Sequence, residues 1–281
     1  AADARLFEGL VVAVDLSGDN KTVEEELKVD VAKLGGVIAD LGDPASPSFD
    51  ARLKEVTHMV VLDLERDLVK RAKQVKGCKA VAVTEWWIDR CIEKRELVPT
   101  DSEVVFSPPR TSAGVSSEMS GLVVCVTGYS GLRRHIMREL VCRTGARYSG
   151  TLNRSCTHLV CYRYDGDKYQ TARKWQGAYS APSIVNHRWV EDCLRTWTYL
   201  SEPIYEDKCG EEVDKEPVIP LHELVKLEVE DSEEAEDAVM SEEEEEAVFV
   251  VRKRHLLAVS IVPFLFGLAA WLLAKVNLAR A

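Results

Sequence analysis

The chain repeats itself. Gly9-Leu10-Val11-Val12-Ala13-Val14 returns as Gly121-Leu122-Val123-Val124-Cys125-Val126, and Thr57-His58-Met59-Val60 returns as Thr157-His158-Leu159-Val160. Trp87-Ile88-Asp89-Arg90-Cys91-Ile92 returns as Trp189-Val190-Glu191-Asp192-Cys193-Leu194. These landmarks keep their order and lie 112, 100 and 102 residues apart. That order, kept twice, means two copies of one domain with different loop lengths, so a fold proposed for one copy must serve the other. In the first copy Thr57 lies 48 positions after Gly9, against 36 from Gly121 to Thr157 in the second. The turn-forming Asp43-Pro44-Ala45-Ser46-Pro47 accounts for much of the surplus.

Each copy alternates strand and helix signals. The run Gly9 to Val14 is short, apolar and rich in Val, the pattern of a strand buried on both faces of a parallel sheet. Thr22 and Glu25 have capping-box spacing ahead of a helical stripe through Val23, Leu27, Val31 and Leu34, which Gly35-Gly36 ends. Val37 to Ala39 and Thr57 to Leu62 read as strands, residues 66–75 as a helix and Val81 to Val83 as a strand. Thr84 is placed to cap a last helix whose apolar face is Trp87, Ile88, Cys91 and Ile92. The order βαββαβα predicts an α/β fold: two small three-layer domains, each a short parallel four-stranded sheet flanked by helices. The first domain is expected over residues 5–100 and the second over 119–205. The Pro-, Ser- and Gly-containing residues 101–118 read as a linker.

Charge is distributed unevenly along the chain. Residues 201–247 hold 20 Asp/Glu against 3 Lys/Arg, so the formal net charge of -11 belongs to a tail. Residues 119–200 carry 12 basic against 5 acidic side chains, whereas residues 1–100 carry 15 against 19, so only the second domain attracts anions. The eight cysteines form no Cys-x-x-Cys pair, which leaves no metal site to expect, and several alternate with Val or Leu as small buried hydrophobes would. Such cysteine usage fits the nucleus or cytosol.

The glycine after the first helix, the Thr-His pair before a central strand and the Trp-x-x-x-Cys last helix, in order and twice, resemble BRCT domains in tandem over about residues 5–205. The second copy, with Cys156-Thr157-His158-Leu159-Val160-Cys161 and Asn186-His187-Arg188-Trp189, is most similar to plant BRCT-repeat proteins related to the Pax transactivation domain-interacting protein. The resemblance implies a nuclear adaptor of the DNA-damage response or of chromatin. It implies phosphorylated proteins as partners, with no catalysis, no cofactor and no small-molecule substrate.

A phosphoserine needs a hydroxyl, a free backbone N–H and a cation at one point. Thr127 and Gly128 directly follow the first strand of the second copy, and Lys168 stands at the start of the helix that runs to Trp175. Strand ends and the following helix starts share one edge of a parallel sheet, where helix N-termini also favour anions. The resemblance assigns phosphate binding to Thr127, Gly128 and Lys168. The plainer alternative is a surface lysine and a turn glycine. Arg133 and Arg134, in the first turn of the next helix, are either additional anion contacts or part of a solvated basic face.

In the first copy Asp15-Leu16 falls where Thr127-Gly128 falls and Leu68 where Lys168 does, so that pocket is expected to be closed to phosphate. This departs from the usual tandem, whose first copy holds the phosphate while the cleft between copies reads a downstream side chain. Trp87 and Trp189 read as core. His58 and His158, beside Thr57 and Thr157, read as turn hydrogen-bonders rather than catalysts. Arg163-Tyr164-Asp165-Gly166 imitates a ligase nucleophile box, but arginine stays protonated where that chemistry needs a deprotonable lysine.

A second functional class remains open, in which the basic second domain binds DNA ends or another polyanion. A third is a membrane-tethered scaffold. Residues 206–255 read as an acidic disordered segment with a basic end, Arg252-Lys253-Arg254-His255. Residues 256–274 are 19 residues without a charge, long enough to span a bilayer, and read either as a membrane anchor or as the end of an incomplete chain.

Overall fold

A computed structural model describes residues 5–16, 21–177 and 181–224 of the 281-residue chain. The first copy runs β1 (Val11–Asp15), α1 (Lys21–Lys33), β2 (Val37–Ile38), α2 (Phe49–Leu53), β3 (His58–Val61), α3 (Asp67–Gln74), β4 (Val81–Val83) and α4 (Glu85–Lys94). After α5 (Ser117–Ser120) the second copy runs β5 (Val123–Thr127), α6 (Gly131–Arg143), β6 (Arg147–Ser149), β7 (His158–Cys161), α7 (Gly166–Trp175), β8 (Ser183–Val185) and α8 (His187–Thr196). Both sheets are fully parallel and have the same order, β2-β1-β3-β4 and β6-β5-β7-β8. Register is repeated as well: Val12 faces His58 as Val124 faces His158, and Asp15 faces Val61 as Thr127 faces Cys161. Helices cover both faces of the central strands, so β5 and β7 are buried along their whole length, as their unbroken apolar runs require.

The repeated residues perform repeated tasks. Thr57 Oγ1 accepts from Val11 N at 3.0 Å and donates to Val11 O at 3.0 Å, and Thr157 Oγ1 does the same with Val123 N and O at 3.0 and 3.2 Å. The His58 ring stacks on Trp87 at 4.5 Å and the His158 ring on Trp189 at 4.4 Å. Each indole N–H reaches a carbonyl beyond its helix, Val98 O and Leu200 O, both at 2.9 Å. The two histidines thus serve the core, and His158 Nε2 also meets Glu202 Oε1 at 2.9 Å.

Some local expectations shift. Helix α1 begins at Lys21, so Thr22 lies inside its first turn rather than at the cap. Thr84 does hold the N-cap backbone position of α4, but its hydroxyl donates to Val105 O at 2.7 Å across the chain. The surplus loop of the first copy contains α2, whose Phe49 and Leu53 are buried.

Residues 101–118 connect the copies as packed structure. Val105 and Phe106 are buried in a core that also takes in Trp87 of the first copy and Leu140 and Trp189 of the second. Arg143 of α6 donates to Val105 O at 2.7 Å and to Ser107 O at 3.3 Å. Val115 N donates to Thr144 O at 2.9 Å, which presses Gly114 onto Gly145. Gly114 has φ +90°, and a Cβ there would lie 2.5 Å from Gly145 Cα and 2.6 Å from Thr144 O. Gly114→Ala therefore combines a left-handed backbone with overpacking against main chain that cannot yield. It should destabilise the protein by at least about 2 kcal/mol. The check is the urea midpoint at unchanged m-value, and an unshifted midpoint would show that this contact is loose.

The acidic stretch departs most from expectation. Its front part, through Leu224, is folded onto the second domain rather than disordered. A 3-10 turn at Pro203–Tyr205 and a short helix α9 (Gly210–Val213) bury Tyr205, Cys209 and Val213, and Leu224 further on is buried as well. Apolar side chains at these positions explain why acidity alone misleads: they recover enough buried surface to order the chain. The rest of the acidic segment and the apolar residues 256–274 lie outside the described residues. Among the described residues no helix is long and apolar enough to cross a membrane.

Candidate phosphate site

The C-terminal end of β5 turns sharply at Gly128. Its φ is +80°, and a Cβ would meet Arg163 N and Tyr162 Cβ, both at 3.1 Å, so only glycine lets the chain leave the sheet beside β7. Thr127, 9 % exposed, gives its carbonyl to Tyr162 N at 3.0 Å. Its hydroxyl and the Gly128 N–H have no hydrogen-bond partner among the described residues. Gly128 itself is exposed.

Lys168, in the first turn of α7, reaches back to the same strand end. Its Nζ donates to Val126 O at 3.1 Å and Gly150 O at 2.8 Å, and touches Cys125 Sγ at 3.3 Å. No carboxylate among the described residues is within ion-pair distance of it. The ammonium is held in place by neutral acceptors and keeps its charge uncompensated. Burial pushes the Cys125 thiol up, while the fields of Lys168 and Arg134 pull it back. Thr127, Gly128 and Lys168 are therefore neighbours around one strand end.

Arg133 is already engaged. Its guanidinium lies 4.4 Å over the Tyr162 ring and donates to Asp214 Oδ2 at 2.8 Å. Although burial works against it, Arg133 and His187 hold the Asp214 carboxyl below its ordinary range. Arg163 is likewise occupied, by a two-point contact with Glu211 at 2.9 and 3.3 Å. Sequence reasoning missed Tyr162, Arg163, Glu211 and Asp214 as parts of this corner. The available signal was the apolar spacing through Tyr205, Cys209 and Val213, which marks the acidic stretch as packed.

The same corner in the first copy is built from different residues. Asp15 stands in the register position of Thr127 and pairs with Arg66 at 3.0 Å, while Leu68, at the position of Lys168, packs against apolar residues. A separate cleft of about 690 Å³ opens between the copies, with Arg90, Tyr129, Arg133 and Glu191 among its lining, and does not include Thr127, Gly128 or Lys168. All eight cysteines are free, and burial pushes the Cys161 thiol up to about 12, which leaves it unreactive. Among the described residues no group of His, Cys, Asp or Glu is placed to hold a metal ion.

Helix α8 carries two groups whose titrations oppose each other. Burial brings His187 down to about 4, against the pull of Asp214 and with Arg133 and Arg188 assisting. Burial also brings Glu191 up to about 7, with Asp192 and Asp214 assisting and Arg188 and Arg195 opposing. The unfolded chain binds the extra proton at His187 between about pH 4 and 6.5, so that term makes stability rise with pH. The folded chain binds it at Glu191 between about pH 4.5 and 7, so that term makes stability fall. Glu191→Gln removes the second term alone. Its unfolding free energy should climb across pH 4.5–6.5 by up to about 3 kcal/mol more than that of the unmodified protein. Parallel curves in denaturant titrations at three pH values would refute the assignment.

Two parallel sheets of this order, each closed by a Trp-to-Cys helix and joined through a common core, have the architecture of tandem BRCT domains. Residues 122–189 match the family model of the twin BRCT domain. Among curated relatives, a BRCT domain-containing protein of Arabidopsis thaliana is 37% identical over 161 residues, 56% of this chain and 11% of its own length. PAX-interacting protein 1 of Bos taurus is 28% identical over 159 residues, 56% of this chain and 15% of its own length. The chain thus spans a small fraction of the relatives it matches. Among solved structures, yeast Rtt107 superposes with a TM-score of 0.63 at 19% identity, over 73% of this chain and 45% of its own.

Proposed function

We propose that the chain is a phosphopeptide-binding adaptor that works through its second BRCT domain. The observation that carries this reading is the coincidence of two unpaired donors, Thr127 Oγ1 and Gly128 N–H, with the uncompensated charge of Lys168 at one strand end. A phosphate monoester dianion has the acceptors and the charge to take all three. The first domain, with Asp15 and Leu68 at the matching positions, supports and orients the second. A nuclear setting in the DNA-damage response or in chromatin rests on the resemblance to tandem BRCT proteins.

The polyanion alternative has less support. Arg133, Arg163, Arg188 and Arg195, a third of the basic residues of the second domain, are engaged by residues 211–219 rather than presented together. Residues 1–224 screened against a degenerate phosphoserine and phosphothreonine peptide library, with a dephosphorylated copy and single-stranded DNA as controls, test the reading. Enrichment that requires the phosphate and survives moderate salt supports it. Equal capture of dephosphorylated peptide, or DNA capture falling steeply with salt, overturns it.

A further inference from the structure

Residues 206–216 cross the C-terminal edge of the second sheet immediately beside the proposed phosphate site. Gly210 lies so close that a Cβ would be 2.8 Å from His187 Nδ1 and 2.9 Å from Tyr162 Cδ2, and Glu211 N donates to Tyr162 O at 2.8 Å. Tyr162 and Arg163 are the residues against which Gly128 packs. From this track Glu211 reaches Arg163 and Asp214 reaches Arg133. Four groups are brought within one small area: two arginines flanking the phosphate corner and two carboxylates of the same chain that cover them.

The segment is held down elsewhere. Tyr205, Val213 and Leu224 are buried. Asn186 donates to Tyr205 O at 2.9 Å, Arg188 to Pro217 O at 2.8 Å and Arg195 to Ile219 O at 3.1 Å. The two arginine–carboxylate contacts, by contrast, are at the surface, where the side chains of Arg133 and Arg163 are 52% and 54% exposed, while the other oxygen of Asp214 meets the buried His187 Nε2 at 3.2 Å. Exposed ion pairs are weak and exchangeable. Another carboxylate can take either arginine without disturbing the buried anchors.

We infer that Glu211 and Asp214 are internal stand-ins for acidic side chains of the ligand, and that the site selects phosphopeptides with Asp or Glu beside the phosphorylated residue. This rests on the phosphate reading of Thr127, Gly128 and Lys168. On binding, the ligand's carboxylates replace Glu211 on Arg163 and Asp214 on Arg133 while the phosphate takes the strand end. Its selectivity is held down by the internal competitor, so a ligand with neutral flanks gains nothing from the two arginines.

The test uses the full chain and two peptide pools with a fixed phosphoserine, one with Glu at the two positions on either side and one with Gln there. Glu211→Gln with Asp214→Asn keeps shape and hydrogen-bonding capacity while removing the competing charge. This variant should bind the Glu pool about 5- to 20-fold more tightly than the unmodified chain does, with the Gln pool changed by less than about two-fold. Arg133→Ala with Arg163→Ala should erase the preference for Glu and retain Gln-pool binding. Equal gains for both pools, or a Glu preference that survives loss of both arginines, overturn the inference and leave the phosphate reading intact. Failure of the unmodified chain to bind either phosphorylated pool overturns the phosphate reading and this inference with it. Thermal melting of each variant confirms that the comparison is between folded proteins.

Discussion

Lys168→Ala should weaken phosphopeptide binding by about 10- to 100-fold, because a charge-assisted hydrogen bond to phosphate contributes roughly 1.5 to 3 kcal/mol. The ammonium is already anchored between Val126 O and Gly150 O, so the ligand does not have to order a free side chain. That preorganisation is why a large loss is expected from one lysine of a domain with many basic residues. Val126 and Gly150 lose a donor at a partly exposed position, so the accompanying loss of stability should be about 1 kcal/mol. Isothermal titration on the folded variant separates the two effects. Undiminished affinity with an unchanged melting temperature would remove Lys168 from the site. Lys174 is the matched control: it is exposed on the same helix, and its replacement by Ala should leave affinity within about two-fold.

Trp189→Ala carries the largest expected cost in stability. The indole is 1 % exposed, stacks on His158, meets Tyr199 edge-on at 6.3 Å and donates to Leu200 O. Removing it leaves a cavity and an orphaned carbonyl inside a core shared by both domains, for about 3 to 5 kcal/mol. Since that core continues through the connector into the first copy, unfolding of the variant should remain a single transition at lower denaturant. Two separated transitions would show that the domains are energetically independent. Trp87→Ala should behave alike, because its surroundings repeat those of Trp189.

Much of the architecture was legible because a parallel strand covered on both faces must be apolar throughout. Val123 to Val126 and Leu159 to Cys161 say so directly. The repeat then doubled every local signal. Gly145 was readable as a helix stop, but not as the place where Gly114 presses against the chain. Thr84 was readable as a cap, yet Val105, 21 residues away, takes its hydroxyl. Side chains with hydrogen-bonding capacity have several satisfactory partners, and sequence does not rank them.

At the candidate site the division is similar. Residue type and position placed Thr127, Gly128 and Lys168 at one sheet edge. Arg133 and Arg134 are adjacent in sequence and indistinguishable by composition, but about 100° apart around a helix they face different neighbours. Arg133 is taken by Tyr162 and Asp214, while Arg134 has no such partner among the described residues.

By itself, the sequence determined the two-copy α/β architecture, the buried strands and which copy keeps a cation at the strand end, since these follow from periodicity and from local residue chemistry. Only the tertiary structure decided that the connector is core, that the acidic stretch through Leu224 is folded, and that Arg133 and Arg163 near the candidate site are already paired. Those outcomes depend on contacts between residues roughly 20 to 80 positions apart, whose energies exist only once the chain has brought them together.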